Sequence, residues 1–362
     1  MSKTSMHFVS EMAGSIGEVT GDLSECFEKE FELTKEWEKQ QPSNKELLFC
    51  HFIQPEFVKS EDFQGYDVKV IIQPIDGTSI KDDVVDMLNM FDLIITPGTA
   101  GRSIMLQNGV LKPIVVIPNF FKPNILRAET SQEFKSYVDR EVGDRTVIYH
   151  ESTFHPRKGI EILYESYIKA FSDKVYTKDV VLLLKDSKLS PGTILNNESM
   201  KMNAVRLQRK YKHPAKILKI SCNLEEDELA YLWDRCDIYA SFSKMEGFGI
   251  PLMRMMVMGK PIITLNSENN GYMDYLNNDN AILVPTKDVV AKEEFMWLYK
   301  EDTKWSVPNI DDCVSGFEKI YSSLKEVDYI KTSKEVYRFS FENVCNMYVS
   351  TLKSLIKSKK IK

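Results

Sequence analysis

The sequence predicts an α/β protein of two domains, each with a parallel β-sheet covered by helices. The chain has 362 residues, enough for two domains of roughly 100–200 residues each. Short apolar runs alternate along it with longer segments of helical periodicity. No apolar run approaches the ~18 residues of a membrane span. We therefore expect the apolar residues to form the cores of two soluble domains.

The first half of the chain contains the elements of one Rossmann-like domain. Leu23, Phe27 and Phe31 recur at helical spacing and predict a helix over 22–37, preceded by a glycine-containing loop over 13–21. Short apolar runs predict strands, and amphipathic runs between them predict further helices. The predicted strands cover residues 7–10, 46–52, 66–73, 92–96 and 113–118, and the other helices cover 81–89 and 99–108.

A second alternation of the same kind predicts a second Rossmann-like domain. Residues 120–143 interrupt the rhythm with Pro123, mixed charge and one helical stretch, which is typical of a linker. We place the domains at 1–120 and 145–335, with the linker at 121–144 and a terminal helix in 336–362. The second set of strands covers 146–150, 180–185, 217–220, 237–242 and 261–265, and its helices cover 159–171, 200–211 and 225–235.

Composition and charge exclude several classes of protein. The net charge of −6 gives no reason to expect nucleic-acid binding. The first ten residues lack the basic start and apolar core of a signal peptide, so we expect a soluble cytoplasmic protein. The histidines and cysteines form no metal-ligand pattern, and no metal is expected. The scattered cysteines favour reduced core thiols over disulfides; they are Cys26, Cys50, Cys222, Cys236, Cys313 and Cys345.

The most informative segment runs from Glu246 through two glycines to a helix that opens with Pro251. Proline is favoured at a first helical position because it has no N–H to leave unpaired. Free backbone N–H groups and the positive end of the helix dipole then converge beside Glu246, where a phosphate binds readily. The carboxylate can accept hydrogen bonds from hydroxyls. This pairing of groups suits a phosphorylated sugar.

The pattern Ser-x-x-Glu-Gly-Phe-Gly-Ile-Pro, an apolar helix and then Gly-Lys-Pro-Ile-Ile resembles the donor site of retaining GT-B glycosyltransferases, the group of family 4 enzymes and glycogen synthase. The resemblance implies two Rossmann-like domains that face each other across a cleft, with a terminal helix that crosses back to the first domain. It also implies that Glu246 contacts donor-sugar hydroxyls as a catalytic residue. Backbone groups near the sugar and phosphate would come from Gly247, Phe248, Gly249 and Ile250, although Phe248 could equally pack in the core.

Two departures from the family pattern affect the nucleotide site. The family has a second Glu eight positions after the first, which holds the ribose, where this chain has Arg254. It also has an Arg where this chain has Glu151 and Ser152. A guanidinium only donates hydrogen bonds, but it can grip a phosphate. Our hypothesis is that Arg254 supplies the cation missing near Ser152.

Three further cations are candidates for donor binding. An enzyme without a metal must neutralise the departing diphosphate with side-chain cations and backbone donors. Arg157, Lys158 and Gly159 resemble the family's Arg-Lys-Gly, which implies phosphate binding by Lys158 with Arg157 as its neighbour. The alternative for Lys158 is a surface cation that opens a helix. Lys185, at the end of a predicted strand, either points into the cleft or is a surface lysine.

The first domain offers two weaker candidates. The segment from Ala13 to Gly17 resembles the family's first-domain glycine loop, so Gly14 and Gly17 would face the donor, although a tight strand-to-helix turn explains it almost as well. It is not a dinucleotide fingerprint. His51 ends a predicted strand, where relatives place a His next to the reacting sugar. The alternative is a buried structural His.

The resemblance implies a retaining, metal-independent transferase that moves a sugar from a nucleotide-diphosphate sugar to a hydroxyl acceptor on a glycan, glycolipid or glycoprotein. No cofactor is implied beyond this co-substrate, whose base and sugar stay open. The rival hypothesis is a catalytically silent protein that serves as a binding or partner subunit. A dehydrogenase is a third hypothesis, but the sequence lacks the dinucleotide-binding fingerprint of that class. The Lys-rich end, residues 353–362, reads as a solvated tail or as a weak contact with an anionic membrane.

Overall fold

The computed structural model describes residues 3–10, 14–35, 46–52, 55, 64–122, 129–153, 155–186, 203, 205–291, 298–324 and 337–360. Two six-stranded parallel sheets form the centres of two α/β domains, as the sequence predicts. A separate antiparallel hairpin belongs to the second half of the chain. The fold class of two facing Rossmann-like domains is confirmed.

The first sheet has the strand order β2-β1-β3-β4-β5-β6, with every neighbouring pair parallel. The order reverses between β1 and β3, and the carboxyl ends of strands at such a point form a crevice for ligands. The strands are β1 Ser5–Ser10, β2 Glu32–Lys35, β3 Leu47–His51, β4 Val68–Ile72, β5 Leu93–Thr96 and β6 Ile114–Val116, and the helices are α1 Gly14–Glu28, α2 Asp82–Leu88 and α3 Thr99–Gln107.

The second sheet has the order β12-β11-β10-β7-β8-β9, again parallel throughout. Its order reverses between β7 and β10, which places a second ligand crevice at their carboxyl ends. The strands are β7 Thr146–Glu151, β8 Val180–Asp186, β9 Lys216–Ser221, β10 Ile238–Ser241, β11 Ile262–Leu265 and β12 Ile282–Val284. The helices that precede and cover this sheet are α4 Gln132–Val142, α5 Ile160–Phe171, α6 Glu226–Arg235, α7 Ile250–Val257 and α8 Ile310–Ser323.

Alternate residues of the central strands enter different cores. Val147 and Tyr149 of β7 pack on one face of the second sheet, and Ile148 packs on the other. This follows from the two-residue period of a strand. Because helices cover both faces, the strand interiors are nearly continuous apolar runs, which is why the sequence predicts them well.

The terminal helix α9, Phe341–Lys360, returns to the first domain. Its buried residues Val344, Tyr348, Leu352 and Ile356 recur every four positions and join the first domain's core. The returning chain lies beside the outgoing one, since the Phe121 amide donates to the Phe339 carbonyl at 2.8 Å. Helix α9 thus packs its apolar face on the first domain.

The hairpin of β13, Thr286–Val290, and β14, Lys304–Pro308, has no counterpart in the predicted elements. It extends from the second domain toward the first. Leu298, Tyr299 and Trp305 in this region are buried in the same cluster as first-domain residues such as Ile75 and Ile80. The two domains are thus joined by this region as well as by the chain crossings.

The structure corrects the predicted start of the first helix. Gly14 and Gly17 do not form a loop, because α1 begins at Gly14 and ends at Glu28, and Phe31 leads instead into β2. Leu23, Cys26 and Phe27 bury one face of α1 completely. Tertiary packing of such a face outweighs the roughly 1 kcal/mol that a helical glycine costs. Ala13 and residues 200–202 and 204 lie outside the described residues, and within the helix predicted over 200–211 residues 203 and 205–208 are helical.

The expectation of reduced cysteines is wrong for one pair. Cys26 in α1 and Cys345 in α9 form a disulfide with a Cα–Cα distance of 5.8 Å. The two residues are 319 positions apart in the sequence, and only the return of α9 to the first domain brings them together. Cys50, Cys222, Cys236 and Cys313 are free thiols.

The Lys-rich end is not simply a solvated tail. Helix α9 continues to Lys360. Lys353 and Lys359 make ion pairs with Glu30 and Asp92 of the first domain, at 2.5 and 2.7 Å. Within the described part of the chain, no helix combines the length and apolarity needed to cross a membrane.

Candidate active site

A cavity of about 430 Å³ lies between the two domains, at the carboxyl ends of the central strands. It is lined by residues that follow β7 and β10, the two strands at the reversal point of the second sheet, and by residues that follow β3 and β4 of the first. The predicted site residues that line it are His51, Arg157, Lys158, Lys185, Glu246, Gly247, Phe248, Gly249, Ile250 and Arg254. The fold thus gathers ten predicted residues from distant positions into one space.

Lys158 and Glu246 meet because the loops after β7 and β10 approach closely. Lys158 lies in a short 3₁₀ helix, Pro156–Lys158, that ends at Gly159 with φ of 64°. A Cβ on Gly159 would lie only 2.0 Å from the carbonyl oxygen of Phe242, so no other residue fits there without moving the backbone. The Lys244 amide also donates to the Arg157 carbonyl at 2.7 Å. The glycine of the Arg-Lys-Gly sequence is therefore what allows the two loops to touch.

Glu246 is a buried carboxylate held between two cations. It forms a close ion pair with Lys158 through Oε1, and its Oε2 lies 3.7 Å from Nη1 of Arg157. Burial alone would raise the pKa of Glu246, but Lys158 and Arg157 outweigh this effect and lower it to about 2. Glu246 is therefore ionised and accepts hydrogen bonds throughout the physiological pH range.

The backbone of the glycine loop is fixed from the other side. The Glu246 amide donates to Oδ1 of Asn270, and the Gly271 amide donates to the Glu246 carbonyl at 2.9 Å. The Tyr275 hydroxyl donates to the carbonyl oxygens of Phe248 and Gly249, each at 2.7 Å. Phe248 packs its ring against Tyr275 and is only 4% exposed, so its main role is in the core.

Arg157 connects the two domains. Its Nη1 donates to the Met245 carbonyl at 2.9 Å and pairs with Oδ2 of Asp76, in the first domain, at 3.0 Å. Burial disfavours the charge of Arg157, yet Asp76 and Glu246 more than compensate and raise its pKa. Burial and Arg157 together lower the pKa of Lys158, while Glu246 acts in the opposite direction. The four charges of this cluster sum to zero.

Arg254 forms a buried ion pair with Glu151. Its Nη1 donates to Oε1 of Glu151 at 2.9 Å, and both side chains are about nine-tenths buried. The guanidinium also stacks on Trp233 at 3.9 Å from the ring centroid. Oε2 of Glu151 accepts hydrogen bonds from Tyr149 and from Nε1 of Trp233, at 2.8 and 2.7 Å. Position 254 therefore carries a buried cation and position 151 a buried anion, and the two charges pair with each other.

His51 lies on the first-domain wall of the cavity. Its Nδ1 is 2.8 Å from the Thr20 hydroxyl, which in turn is 2.7 Å from the Ser10 hydroxyl. Burial lowers the pKa of His51 to about 4, so the ring is neutral at physiological pH. The next residue, Phe52, has φ of 54°, an uncommon conformation for a bulky side chain that often marks a functional site. The structure places His51 at the cavity, and its catalytic role stays a prediction.

Sequence reasoning missed Asp76, Asn270 and Trp233, which hold the predicted residues in place. Asp76 precedes a glycine just after the strand predicted over 66–73, and an acid at the carboxyl end of a parallel strand is a usable signal. The sequence gives no such signal for Trp233, because its contact with Arg254 depends on how α6 and α7 pack. The glycine loop over 14–17 is replaced by the first turn of α1, whose Val19 lines the cavity.

Comparison with known proteins defines the class. Residues 132–304 match the family model described as glycosyl transferases group 1. The chain has the GT-B fold, and its second domain carries the group 1 match, which supports a transferase activity. A comparison with curated proteins finds no significant match.

Solved structures share the fold across nearly the whole chain at low sequence identity. Sucrose-phosphate synthase from Thermosynechococcus elongatus has a TM-score of 0.70 at 11% identity, over 98% of this chain and 100% of that one. Alr3699/HepE from Anabaena, in complex with UDP and glucose, has a TM-score of 0.67 at 14% identity, over 97% of this chain and 100% of that one. α,α-Trehalose 6-phosphate synthase from Burkholderia multivorans has a TM-score of 0.66 at 10% identity, over 87% of this chain and 71% of that one.

Proposed function

We propose that this protein transfers a sugar from a nucleotide-diphosphate sugar to a hydroxyl acceptor, with retention of the anomeric configuration and without a metal ion. The observation that carries the proposal is the buried carboxylate of Glu246 beside Lys158 and Arg157, in the cavity at the strand-order reversal of the second sheet. A carboxylate that stays ionised orients sugar hydroxyls. The adjacent cations and backbone amides suit a diphosphate.

In this proposal, each group around the cavity has a separate task. Glu246 accepts hydrogen bonds from the donor sugar, and Lys158, Arg157 and the amides of residues 247–250 neutralise the departing diphosphate. Lys185 adds a positive charge to the cavity wall, and Arg254, whose charge Glu151 balances, adds guanidinium donors. Helix α1, which contains Gly14 and Gly17, and His51 face the reacting sugar from the first domain. Closure of the domains excludes water and limits donor hydrolysis.

Metal independence and retention rest on related arguments. Lys158 and Arg157 lie where charge develops on the leaving group, so they supply the electrostatic role that a divalent cation plays in other enzymes. For retention, we propose that the acceptor attacks from the face of the leaving phosphate, which takes the acceptor's proton. Activity that persists in EDTA would support metal independence. Identification of the product anomer by NMR tests retention.

The first experiment is a thermal-shift screen of UDP-, GDP- and ADP-sugars, followed by an assay for slow donor hydrolysis. UDP-glucose is the first choice because Alr3699/HepE was solved with UDP and glucose. We expect at least one donor to stabilise the protein and to be hydrolysed slowly. Binding of none would favour the silent binding subunit. The hydroxyl acceptor, and a weak contact of the Lys-rich terminus with anionic membranes, are then tested with the identified donor.

The variant Glu246→Gln tests the central residue. We expect its turnover to fall by about 10²-fold, because the neutral amide holds the sugar hydroxyls more weakly in the transition state. Glu161→Gln is the matched control, since Glu161 is a half-exposed acid paired with Lys244 outside the cavity lining. A Glu246→Gln enzyme as active as the control would refute the assignment.

A further inference from the structure

A segment of the second domain docks onto the first domain directly beside the phosphate-binding cations. We call residues 298–304 the docking segment. The Lys81 amide donates to the Leu298 carbonyl at 2.9 Å, and the Lys304 amide donates to Oγ1 of Thr78 at 2.9 Å. The Thr78 amide also donates to Oγ1 of Thr303 at 3.1 Å. These bonds attach the docking segment to the first-domain loop that follows β4.

Tyr299 of the docking segment holds Asp76 by both its backbone and its side chain. The Asp76 amide donates to the Tyr299 hydroxyl at 3.1 Å, and that hydroxyl donates to Oδ1 of Asp76. Burial and Asp76 raise the pKa of Tyr299 well above its ordinary value, so the hydroxyl keeps its proton and acts as the donor. Tyr299 is 6% exposed. It does not belong to the lining of the cavity.

Asp76 in turn holds Arg157. Oδ1 of Asp76 binds Tyr299, while Oδ2 pairs with Nη1 of Arg157 at 3.0 Å. The contacts of Arg157 with Asp76, Glu246 and the Met245 carbonyl all use Nη1 in the described part of the chain. Arg157 is thus held through one end of its guanidinium, and it also lines the cavity. A planar fork held at one end is well suited to grip a phosphate at the other.

We propose that Tyr299 is a positioning residue that, through Asp76, orients Arg157 for the donor diphosphate. The inference rests on the proposed function, because it assumes that Arg157 binds phosphate. Asp76 belongs to the first domain, whereas Tyr299 and Arg157 belong to the second. The phosphate site is therefore complete only while the docking segment is seated on the first domain. Donor affinity is thereby coupled to contact between the domains.

The test is a double-mutant cycle between Tyr299→Phe and Arg157→Ala, with calorimetric measurement of the dissociation constants of UDP, GDP and ADP. Tyr299→Phe removes one oxygen atom and changes no charge. We expect it to weaken binding of the preferred nucleotide about tenfold in the wild-type background and to have no effect in the Arg157→Ala background, since groups in one hydrogen-bond and salt-bridge network are energetically coupled. A purely structural role of the hydroxyl would weaken binding equally in both backgrounds.

Two control variants sharpen the test. Tyr167→Phe removes another buried hydroxyl, which donates to the Lys216 carbonyl at 2.8 Å, away from the cavity. Lys300→Ala removes the Lys300–Asp82 ion pair of the docking segment, which is 2.7 Å long and exposed. We expect both controls to bind nucleotide like the wild type.

The outcomes separate the two proposals. If Arg157→Ala weakens binding and Tyr299→Phe does not, the positioning role is wrong and the proposed function stands. An equal loss from Tyr299→Phe in both backgrounds also overturns the positioning role. If Arg157→Ala binds nucleotide like the wild type, the phosphate role of Arg157 fails, and the inference fails with it. If the wild type binds none of the three nucleotides, the proposed function itself fails.

Discussion

At the scale of single residues, Arg254 and Glu151 depend on each other. Their charges lie 2.9 Å apart, and each side chain is about nine-tenths buried. Removal of one partner from such a pair leaves an uncompensated buried charge, which costs about 3–5 kcal/mol. The pair therefore constrains stability whatever contact either residue makes with the donor.

We predict that Arg254→Glu lowers the free energy of unfolding by about 3–5 kcal/mol, because it sets two buried carboxylates against each other. The double variant Arg254→Glu with Glu151→Arg should recover at least half of the loss, since the pair is restored with its charges exchanged. Urea unfolding measures both. As a control, Lys174→Glu affects an exposed pair with Glu318 and should cost less than about 1 kcal/mol. No recovery in the double variant would contradict the pairing argument.

Two buried histidines give the protein a defined sensitivity to acid. Burial lowers the pKa of His51 and of His150 from 6.5 to about 4. Below pH 6.5 these two residues are protonated in the unfolded chain, whereas in the folded protein they stay neutral until the pH approaches 4. Stability is therefore lost as the pH falls from 6.5 to 4, by roughly 3 kcal/mol for each residue. We predict this loss in urea unfolding curves measured at successive pH values.

The variant His51→Gln provides the check. The amide can keep a hydrogen bond to Thr20, but it does not titrate. The loss of stability between pH 6.5 and 4 should therefore be smaller than in the wild type by roughly 3 kcal/mol. If the free energy of unfolding of this variant depends on pH as in the wild type, His51 of the folded protein is already protonated between pH 6.5 and 4.

At the scale of elements, α9 behaves as part of the first domain's core. Four of its apolar residues are buried there, and the Cys26–Cys345 disulfide joins it to α1. The disulfide closes almost the entire chain into one loop. Such a cross-link restricts the unfolded state strongly and stabilises a protein by about 2–4 kcal/mol.

We predict that Cys345→Ser lowers the melting temperature and that a reductant lowers it in the wild type by a similar amount, because both remove the same cross-link. Differential scanning calorimetry with and without dithiothreitol measures this. Cys222 is an exposed free thiol, so Cys222→Ser should behave like the wild type. A wild-type protein insensitive to reductant would show that the bond contributes nothing to stability.

At the scale of the whole molecule, three glycine backbones allow the domains to meet beside the candidate site. A Cβ on Gly98 of the first domain would lie 2.9 Å from the carbonyl oxygen of Gly247 and 3.0 Å from Cα of Gly271. Both neighbours are backbone atoms of the second domain and cannot rotate away. Close approach at the glycine loop thus requires the absence of a side chain at position 98.

We predict that Gly98→Ala separates the domains slightly and lowers turnover by about 10- to 100-fold, because a displacement of about 1 Å misaligns the reacting groups. Small-angle scattering should show a larger radius of gyration with no loss of secondary structure. Gly21→Ala is the control, since a Cβ there meets nothing within 4 Å. Wild-type activity in Gly98→Ala would show that this approach is not needed for turnover.

Much of this arrangement follows from the amino-acid order alone. Apolar runs predict the parallel strands because strands covered on both faces must be apolar throughout. The sequence from Glu246 to Pro251 predicts its own loop and helix start because glycine and proline act locally. Lys158 and Arg157 are singled out by the resemblance of Arg157-Lys158-Gly159 to the family's Arg-Lys-Gly, and Gly159 forms the turn that positions them.

The folded chain alone decides which distant residues meet. The Cys26–Cys345 bond, the Arg254–Glu151 pair and the link from Tyr299 through Asp76 to Arg157 join positions separated by 81 to 319 residues. The start of α1 at Gly14 also depends on packing that outweighs local propensity. The physical reason is the same in each case. Local conformation is set by neighbours in sequence, whereas ion pairs and buried contacts are set by the packing of elements whose order in the chain says little about their distance in space.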